Sequence, residues 1–267
     1  MIPAGFEYEV ADSVEHAVEL LGREDAKILA GGHSLIPAMR LRVARPSLLV
    51  DLGRMDGLSY VREDGDAIAI GALTRHHDLA TSDLVQERCD VLATTAAGIG
   101  DPQVRHRGTI GGSVAHGDPA SDLPTVLLAL DADFVVSGPQ GTRTIEAAHF
   151  FEGVFLTALG AQDVLTEIRV PAATGSYVKF HRRAQDWATV GVAVARVNGD
   201  VRVGLTSMGA TPLRAKAVEE ALASGQDAAA AAEHAAEGTD PVSDTNGSAD
   251  YRRSLVRVLV RRALEAA

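Results

Sequence analysis

The sequence predicts an α+β protein made of two N-terminal α/β units and a C-terminal α+β domain, and three observations carry that prediction. Strand and helix patterns alternate through the opening segment, turn signals bracket short strand runs through the middle, and the last third changes to a β-hairpin followed only by helical patterns. With 267 residues the chain is long enough to bury a sizeable core. Its 46% hydrophobic, 23% charged and 4% aromatic residues describe an Ala/Val/Leu-rich globule and exclude a disordered or collagen-like chain.

Taken in order, Ser13 is placed to cap a helix whose Val14, Ala17, Val18 and Leu21 share one face, with Gly22 ending it. Lys27 to Ala30 reads as a short buried strand running into Gly31-Gly32-His33-Ser34. The next helix starts near Leu35, where Pro37 is tolerated in the first turn. Ser47 to Leu52 is a further strand and closes a small β-α-β-α-β unit over residues 1–53. In the second unit, 54–174, Glu63-Asp64-Gly65-Asp66 and Gly138-Pro139-Gln140-Gly141 signal hairpins, and Val164 to Val170 is a closing strand. Pro171-Ala172-Ala173-Thr174-Gly175 has the composition of a boundary. The third unit, 175–267, carries a hairpin of Val192 to Val197, Asn198-Gly199 and Val201 to Leu205. Helical patterns follow at Pro212 to Ala223, Asp227 to Ala236 and Tyr251 to Ala266, and the alanine run from Ala228 to Ala236 reads as a solvent-facing helix.

Charge and cysteine content narrow the function classes. Lys+Arg number 25 against 36 Asp+Glu, a net charge of −11 that repels nucleic acid unless a basic patch is segregated, and none is visible. The densest basic stretch, Arg252 to Arg262, alternates with Leu and Val and reads as one face of a helix. Cys89 is the only cysteine, so the chain holds neither an internal disulfide nor, alone, an iron–sulfur cluster. No basic and apolar leader opens the sequence, and no uncharged apolar run reaches the ~18–20 residues of a membrane span, which predicts a cytoplasmic protein.

Two segments break the ordinary pattern: Ala30-Gly31-Gly32-His33-Ser34 directly after a strand, and Thr109-Ile110-Gly111-Gly112-Ser113. Each pairs adjacent glycines with a hydroxyl. An isolated Gly-Gly is usually a tight turn, but such pairs also let backbone N–H groups converge on an anion with no Cβ in the way. Two of them suit a diphosphate gripped from both sides. The dinucleotide fingerprint is absent, since Gly98-Ile99-Gly100 leads to Gln103 where a glycine is required, and no Gly-Lys pair makes a P-loop. Asp122, just before the apolar run Leu123 to Leu130, reads either as a helix cap or as an acceptor for sugar-type hydroxyls. His76, His77, His106 and His116 raise a metal reading, but no metal-ligand spacing accompanies them, so no metal site is assigned.

Five ordered segments, AGGHSLIPAMRLR, DPQVRHRGTIGGSVAHGDPASD, VLTEIRVP, KFHRRAQDWATVGVAV and NGSADYRRSLVRVLVRRALEAA, resemble the FAD-binding medium subunit of molybdenum hydroxylases, most closely that of the aerobic carbon monoxide dehydrogenase branch. The resemblance runs end to end and implies a fold of the vanillyl-alcohol-oxidase flavoprotein type. Carried over by motif, Ile28, Leu29, Ala30, Gly31, Gly32, His33, Ser34 and Leu35 contact the FAD diphosphate, and Thr109, Ile110, Gly111, Gly112 and Ser113 close on it from the other side. Ile99, Asp122, Leu165 and Lys179 fall at further cofactor contacts, Asp122 suited to ribose or ribityl hydroxyls and Lys179 to the flavin end. Trp187, the only tryptophan, stands either near the isoalloxazine or as a core anchor of the C-terminal domain. His33 and Ser113 replace a common glutamine and asparagine and keep hydrogen-bonding capacity; a His33 protonated beside a diphosphate strengthens the grip as pH falls.

The same resemblance implies a division of labour. An iron–sulfur small subunit and a molybdenum-cofactor large subunit, in a dimer of heterotrimers, oxidise substrate and relay electrons to this chain's FAD, which passes them to an external acceptor. No residue of this chain is assigned a catalytic role of its own. Two competing readings are a flavin subunit acting with a purine, aldehyde or aromatic hydroxylase, and a self-sufficient flavin oxidase. A third is a scaffold whose glycine segments are only turns.

Overall fold

A computed structural model describes residues 1–267. It begins with strand β1 (Glu7–Val10), helix α1 (Val14–Leu20), strand β2 (Ala26–Leu29), helix α2 (Leu35–Arg40) and strand β3 (Leu48–Asp51). Ser13 caps α1 as expected, its hydroxyl accepting from the His16 N–H. The strands form a parallel sheet in the order β1-β3-β2, so β3 is central and its Leu48, Leu49 and Val50 are buried.

Next come β4 (Val61–Asp64) and β5 (Ala67–Gly71), then six short helices: α3 (His76–Thr81), α4 (Asp83–Arg88), α5 (Asp90–Ala97), α6 (Pro102–Arg105), α7 (Ile110–His116) and α8 (Asp122–Ala129). Strands β6 (Asp133–Gly138), β7 (Gly141–Glu146), β8 (Phe151–Gly153), β9 (Leu156–Thr157) and β10 (Val164–Pro171) follow. An antiparallel sheet in the order β4-β5-β10-β6-β7 places β10 at its centre, and both predicted hairpins are present at β4–β5 and β6–β7. The helices cover this sheet and close the largest core, around Ile70, Leu92, Leu127 and Phe134.

The last part holds β11 (Thr174–Phe180), β12 (Val190–Val197), β13 (Asp200–Thr206), β14 (Leu213–Arg214), α9 (Lys216–Ala223), α10 (Ala228–Ala232) and α11 (Ala249–Ala266). Its antiparallel sheet runs β11-β12-β13-β14. The helix expected from Pro212 starts at Lys216 instead, because Leu213 and Arg214 pair with Leu205 and Gly204 as a short edge strand. The alanine segment faces solvent on one side only: Ala229 and Ala230 are exposed, but Ala231, Ala232 and Ala235 are buried in the same core as Val256 and Val260 of α11. Arg252 is not part of a solvated face. It is buried, donating to the Thr189 carbonyl and to Asp244 Oδ1.

Strand β12 explains how the last sheet joins the middle part. Val192 and Val194 point into the C-terminal core while Ala193 and Ala195 point into the middle core, so the strand is buried on both faces and reads as an unbroken apolar run. Small side chains on the inner face admit a helix at close range. At Gly204 a Cβ would stand 2.7 Å from the Thr125 carbonyl oxygen of α8.

Candidate functional site

The two glycine segments lie against each other. A Cβ added at Gly31 would collide with the Arg107 carbonyl oxygen, and one at Gly112 would stand 3.9 Å from Ala30 Cβ. In the first segment Gly32 takes φ +78°, a left-handed conformation that L side chains rarely adopt. The backbone N–H groups of Gly31, Gly32, His33, Ser34 and Leu35 make no hydrogen bond within the protein. Ser34 leads into α2 without a side-chain cap. This is a run of donors ahead of a helix N-terminus, the arrangement that receives an anion.

The second segment differs from expectation. It is no nest of free donors: Ile110 donates to the Thr74 carbonyl at 3.0 Å, Gly111 to Ala72 at 2.9 Å, Gly112 to Thr109 Oγ1 at 3.1 Å and Ser113 to the Thr109 carbonyl at 3.0 Å. Thr109 is the N-cap of α7. Gly111 serves close packing, since a Cβ there would stand 2.6 Å from both Ala72 Cβ and the Ala72 carbonyl oxygen.

Around these segments the chain gathers the basic patch that is invisible in its linear order. Arg75 donates to the Arg107 carbonyl, Arg105 donates to the carbonyls of Ile99 and Gly100, and neither these arginines nor Arg107 pairs with a carboxylate. Burial, and then the neighbouring Arg107, lower the Arg75 pKa. His76 is only 5% exposed, and its Nδ1 has no partner. Burial first, then the nearby His33, Arg75 and Arg105, bring its pKa down to about 4, so it stays neutral at neutral pH. Its ring lies over Gly108, where a Cβ would come within 2.7 Å. His77 and His106 pack edge to face with centroids 4.0 Å apart. An anion near the first segment therefore meets arginines that no carboxylate pairs directly, with Asp78 and Asp51 acting on Arg75 only from a distance, in a protein that is acidic as a whole.

A cavity of 210 Å³ opens between α5 and the C-terminal sheet. Thr94, Thr95 and Gly98 line one side, and Asp122, Tyr177, Lys179 and His181 the other. Asp122 and Lys179, expected to contact a ligand separately, are paired: Lys179 Nζ lies 2.7 Å from Asp122 Oδ2, and Asp122 is 8% exposed. Tyr177 donates to Asp122 Oδ1 at 2.7 Å. Burial first, then Asp122, raise the Tyr177 pKa well above its ordinary value, so it remains a donor. The cap reading of Asp122 fails: Ser121 holds the N-cap position of α8, and Asp122, the first residue inside the helix, gives its oxygens to Tyr177 and Lys179 instead of to a backbone N–H.

The remaining residues fall as follows. Ile28 and Leu29 are half-buried on β2, and Ile99 is half-buried after α5, next to the cavity's Gly98. Leu165 is buried in the middle core on β10. Trp187 is 55% exposed, which rules out the core anchor. Sequence reasoning missed Tyr177, His181, Thr94, Thr95 and the arginine cluster. Tyr177 was legible through strand alternation, because it lies two residues before Lys179 and shares its face of β11.

Comparison with known proteins gives the family. The family "FAD binding domain in molybdopterin dehydrogenase" matches residues 4–173, and "CO dehydrogenase flavoprotein C-terminal domain" matches 175–267. The chain belongs to this family of molybdenum hydroxylase flavoproteins. Its cofactor is FAD, and it is an oxidoreductase subunit. Among its relatives, the carbon monoxide dehydrogenase medium chain of Hydrogenophaga pseudoflava is 45% identical over 100% of this chain and 98% of that protein. The 6-hydroxypseudooxynicotine dehydrogenase complex subunit alpha of Paenarthrobacter nicotinovorans is 42% identical over 100% and 96%. The solved carbon monoxide dehydrogenase of Hydrogenophaga pseudoflava superposes with a TM-score of 0.95 at 46% identity, covering 100% of this chain and 98% of that one. Quinoline 2-oxidoreductase from Pseudomonas putida 86 gives 0.93 at 30% identity, covering 100% and 98%. No helix of this flavoprotein is long and apolar enough to cross a membrane.

Proposed function

We propose that this flavoprotein is the medium subunit of an aerobic carbon monoxide dehydrogenase, working in the cytoplasm with an iron–sulfur small subunit and a molybdenum-cofactor large subunit in a dimer of heterotrimers. The observation that carries the reading is the run of unengaged N–H groups from Gly31 to Leu35 beside the carboxylate-free arginines, a fit for the FAD diphosphate. Residues 1–53 and 54–174 hold the cofactor and 175–267 covers it. Ile28 to Leu35 grip the diphosphate, with Thr109 to Ser113 as the rigid wall behind it. Asp122, Lys179, Ile99, Leu165 and Trp187 serve the ribityl and flavin end.

FAD, when bound, supplies conversion between one-electron transfer from a cluster and two-electron delivery to an external acceptor. The protein's part is orientation and charge. The N–H groups and arginines neutralise the diphosphate, Asp122 accepts from hydroxyls, and the Lys179 ammonium favours negative charge on its neighbour. A second reading, a flavin subunit of an aromatic-substrate hydroxylase, is favoured by the 42% identity to the 6-hydroxypseudooxynicotine dehydrogenase subunit. The substrate pocket lies on another subunit in either case.

The test is to purify the chain alone and again with its partners. Alone it is expected to be yellow, to carry FAD noncovalently, to be reduced by dithionite and to stay oxidised under CO; with its partners it turns over CO. Asp122→Ala is expected to weaken FAD by ~1–3 kcal/mol. Bleaching of the lone chain's flavin by a substrate would revive the self-sufficient oxidase, and turnover of an aromatic heterocycle but not CO by the complex would favour the second reading.

A further inference from the structure

Four buried or half-buried polar side chains close a ring behind the cavity. Tyr177 Oη donates to Asp122 Oδ1 at 2.7 Å and accepts from Thr206 Oγ1 at 3.1 Å, and Thr206 Oγ1 lies 2.8 Å from Thr125 Oγ1. Asp122 and Thr125 are one turn apart on α8, whereas Tyr177 and Thr206 belong to β11 and β13. The ring therefore ties the helix that bears the acid to the sheet that bears Lys179.

Two strand glycines make room for it. A Cβ at Gly191 would collide with Tyr177 Oη and stand 3.0 Å from Thr206 Cβ, and one at Gly204 would stand 2.7 Å from the Thr125 carbonyl oxygen and 2.9 Å from Thr125 Cγ2. Glycine weakens a strand interior, so a pair of glycines facing the same polar ring marks a place where close approach outweighs strand propensity.

We propose that Tyr177 is a positioning residue for the Asp122–Lys179 pair: by holding Oδ1 it leaves Oδ2 to Lys179 and keeps the ammonium turned to the cavity, where it sets the potential of the bound flavin. The physical reason is acceptor competition. A carboxylate with both oxygens free draws an ammonium into a bidentate pair, whereas one oxygen already held by a hydroxyl limits the ammonium to the other and leaves its remaining N–H groups free. Tyr177 touches no ligand itself in this scheme; it acts through Asp122. The proposal rests on the reading that this cavity takes the flavin end of FAD.

A double-mutant cycle tests it, using Tyr177→Phe, Lys179→Gln and the pair, with FAD titration of apoprotein and the flavin midpoint potential as readouts. Tyr177→Phe is expected to raise the FAD Kd roughly tenfold by loosening the Asp122–Lys179 pair, and to move the potential to a more negative value. In the Lys179→Gln background the same change is expected to leave the potential where it is. An unchanged potential in Tyr177→Phe, or an equal shift with and without Lys179, overturns the proposal and makes Tyr177 a structural strut. If Tyr177→Phe does not fold, Thr206→Val loosens the hydroxyl from its other side, and a shift of the same sign that vanishes with Lys179→Gln supports the proposal while no shift refutes it. Failure of the wild-type apoprotein to bind FAD would refute the functional reading beneath it instead.

Discussion

In the segment from Gly31 to Leu35 the backbone N–H groups lack internal acceptors, whereas from Ile110 to Ser113 each is engaged by a carbonyl of the β5–α3 turn or by Thr109. The residues are nearly the same, a hydroxyl and two glycines, yet the glycines do different work. Gly32 supplies a positive φ that points a loop's donors outward; Gly111 supplies the absence of a side chain where α7 meets Ala72. Adjacent glycines thus specify close approach, and what approaches, a ligand or the protein's own backbone, depends on which acceptors the fold brings near.

The largest expected effect comes from inverting the two. Gly111→Val drives atoms into Ala72 and is expected to destabilise the apoprotein by about 3 kcal/mol, as overpacking does. Gly32→Ala meets a flexible Ile36 side chain and a left-handed φ, worth about 1–2 kcal/mol, but should weaken FAD by more than it weakens the fold. Chemical denaturation and FAD titration of both proteins read this out. Equal stability losses, or FAD affinity untouched in Gly32→Ala, would erase the distinction.

His76 sharpens the comparison because it joins the segments, its neutral ring packed against Gly108 and close enough to His33 for the two to disfavour each other's charge. It remains neutral in the fold down to about pH 4 but takes a proton near 6.5 when unfolded. Between those values the unfolded chain binds more protons, so apoprotein stability is fully present above pH 6.5 and falls as the pH drops toward 4, by up to about 3 kcal/mol. His76→Gln is expected to flatten the upper part of that acid limb in urea melts between pH 5 and 6.5. Below it, Asp163, held low by its hydrogen bonds to Arg143, adds its own loss on protonation.

The smallest effect isolates the cap. Thr109→Ala removes the acceptor of the Gly112 N–H and is expected to lower stability by about 1 kcal/mol. Thr109→Ser should recover most of that stability, as thermal melts would show. If Thr109→Ala leaves stability unchanged while abolishing FAD, the hydroxyl belongs to the ligand and not to the helix, and the second segment moves into the class of the first.

Local order along the chain was enough to determine the three-part α+β organisation, both middle hairpins, the Ser13 cap and the strand feeding Gly31, since periodicity, caps and turn residues act over a few positions. It also marked both glycine segments and the place of Asp122 before an apolar run, whereas Lys179 came only through the family resemblance. Three things were decided only by tertiary structure. Arg105 and Arg107 stand together just before the second glycine segment, but Arg75 joins them only because α3 and α6 converge there, which linear order does not record. One face of the alanine helix is buried because α11 packs over it, and an all-alanine run carries no polarity pattern to say which. Asp122 and Lys179 became one ion pair, with Tyr177 behind them, because α8 packs on β12 and β13 of the sheet whose next strand is β11. Propensity and pattern are local energies, whereas burial, charge pairing and the partner of each N–H depend on contacts between residues far apart in the chain, which only the packed structure selects.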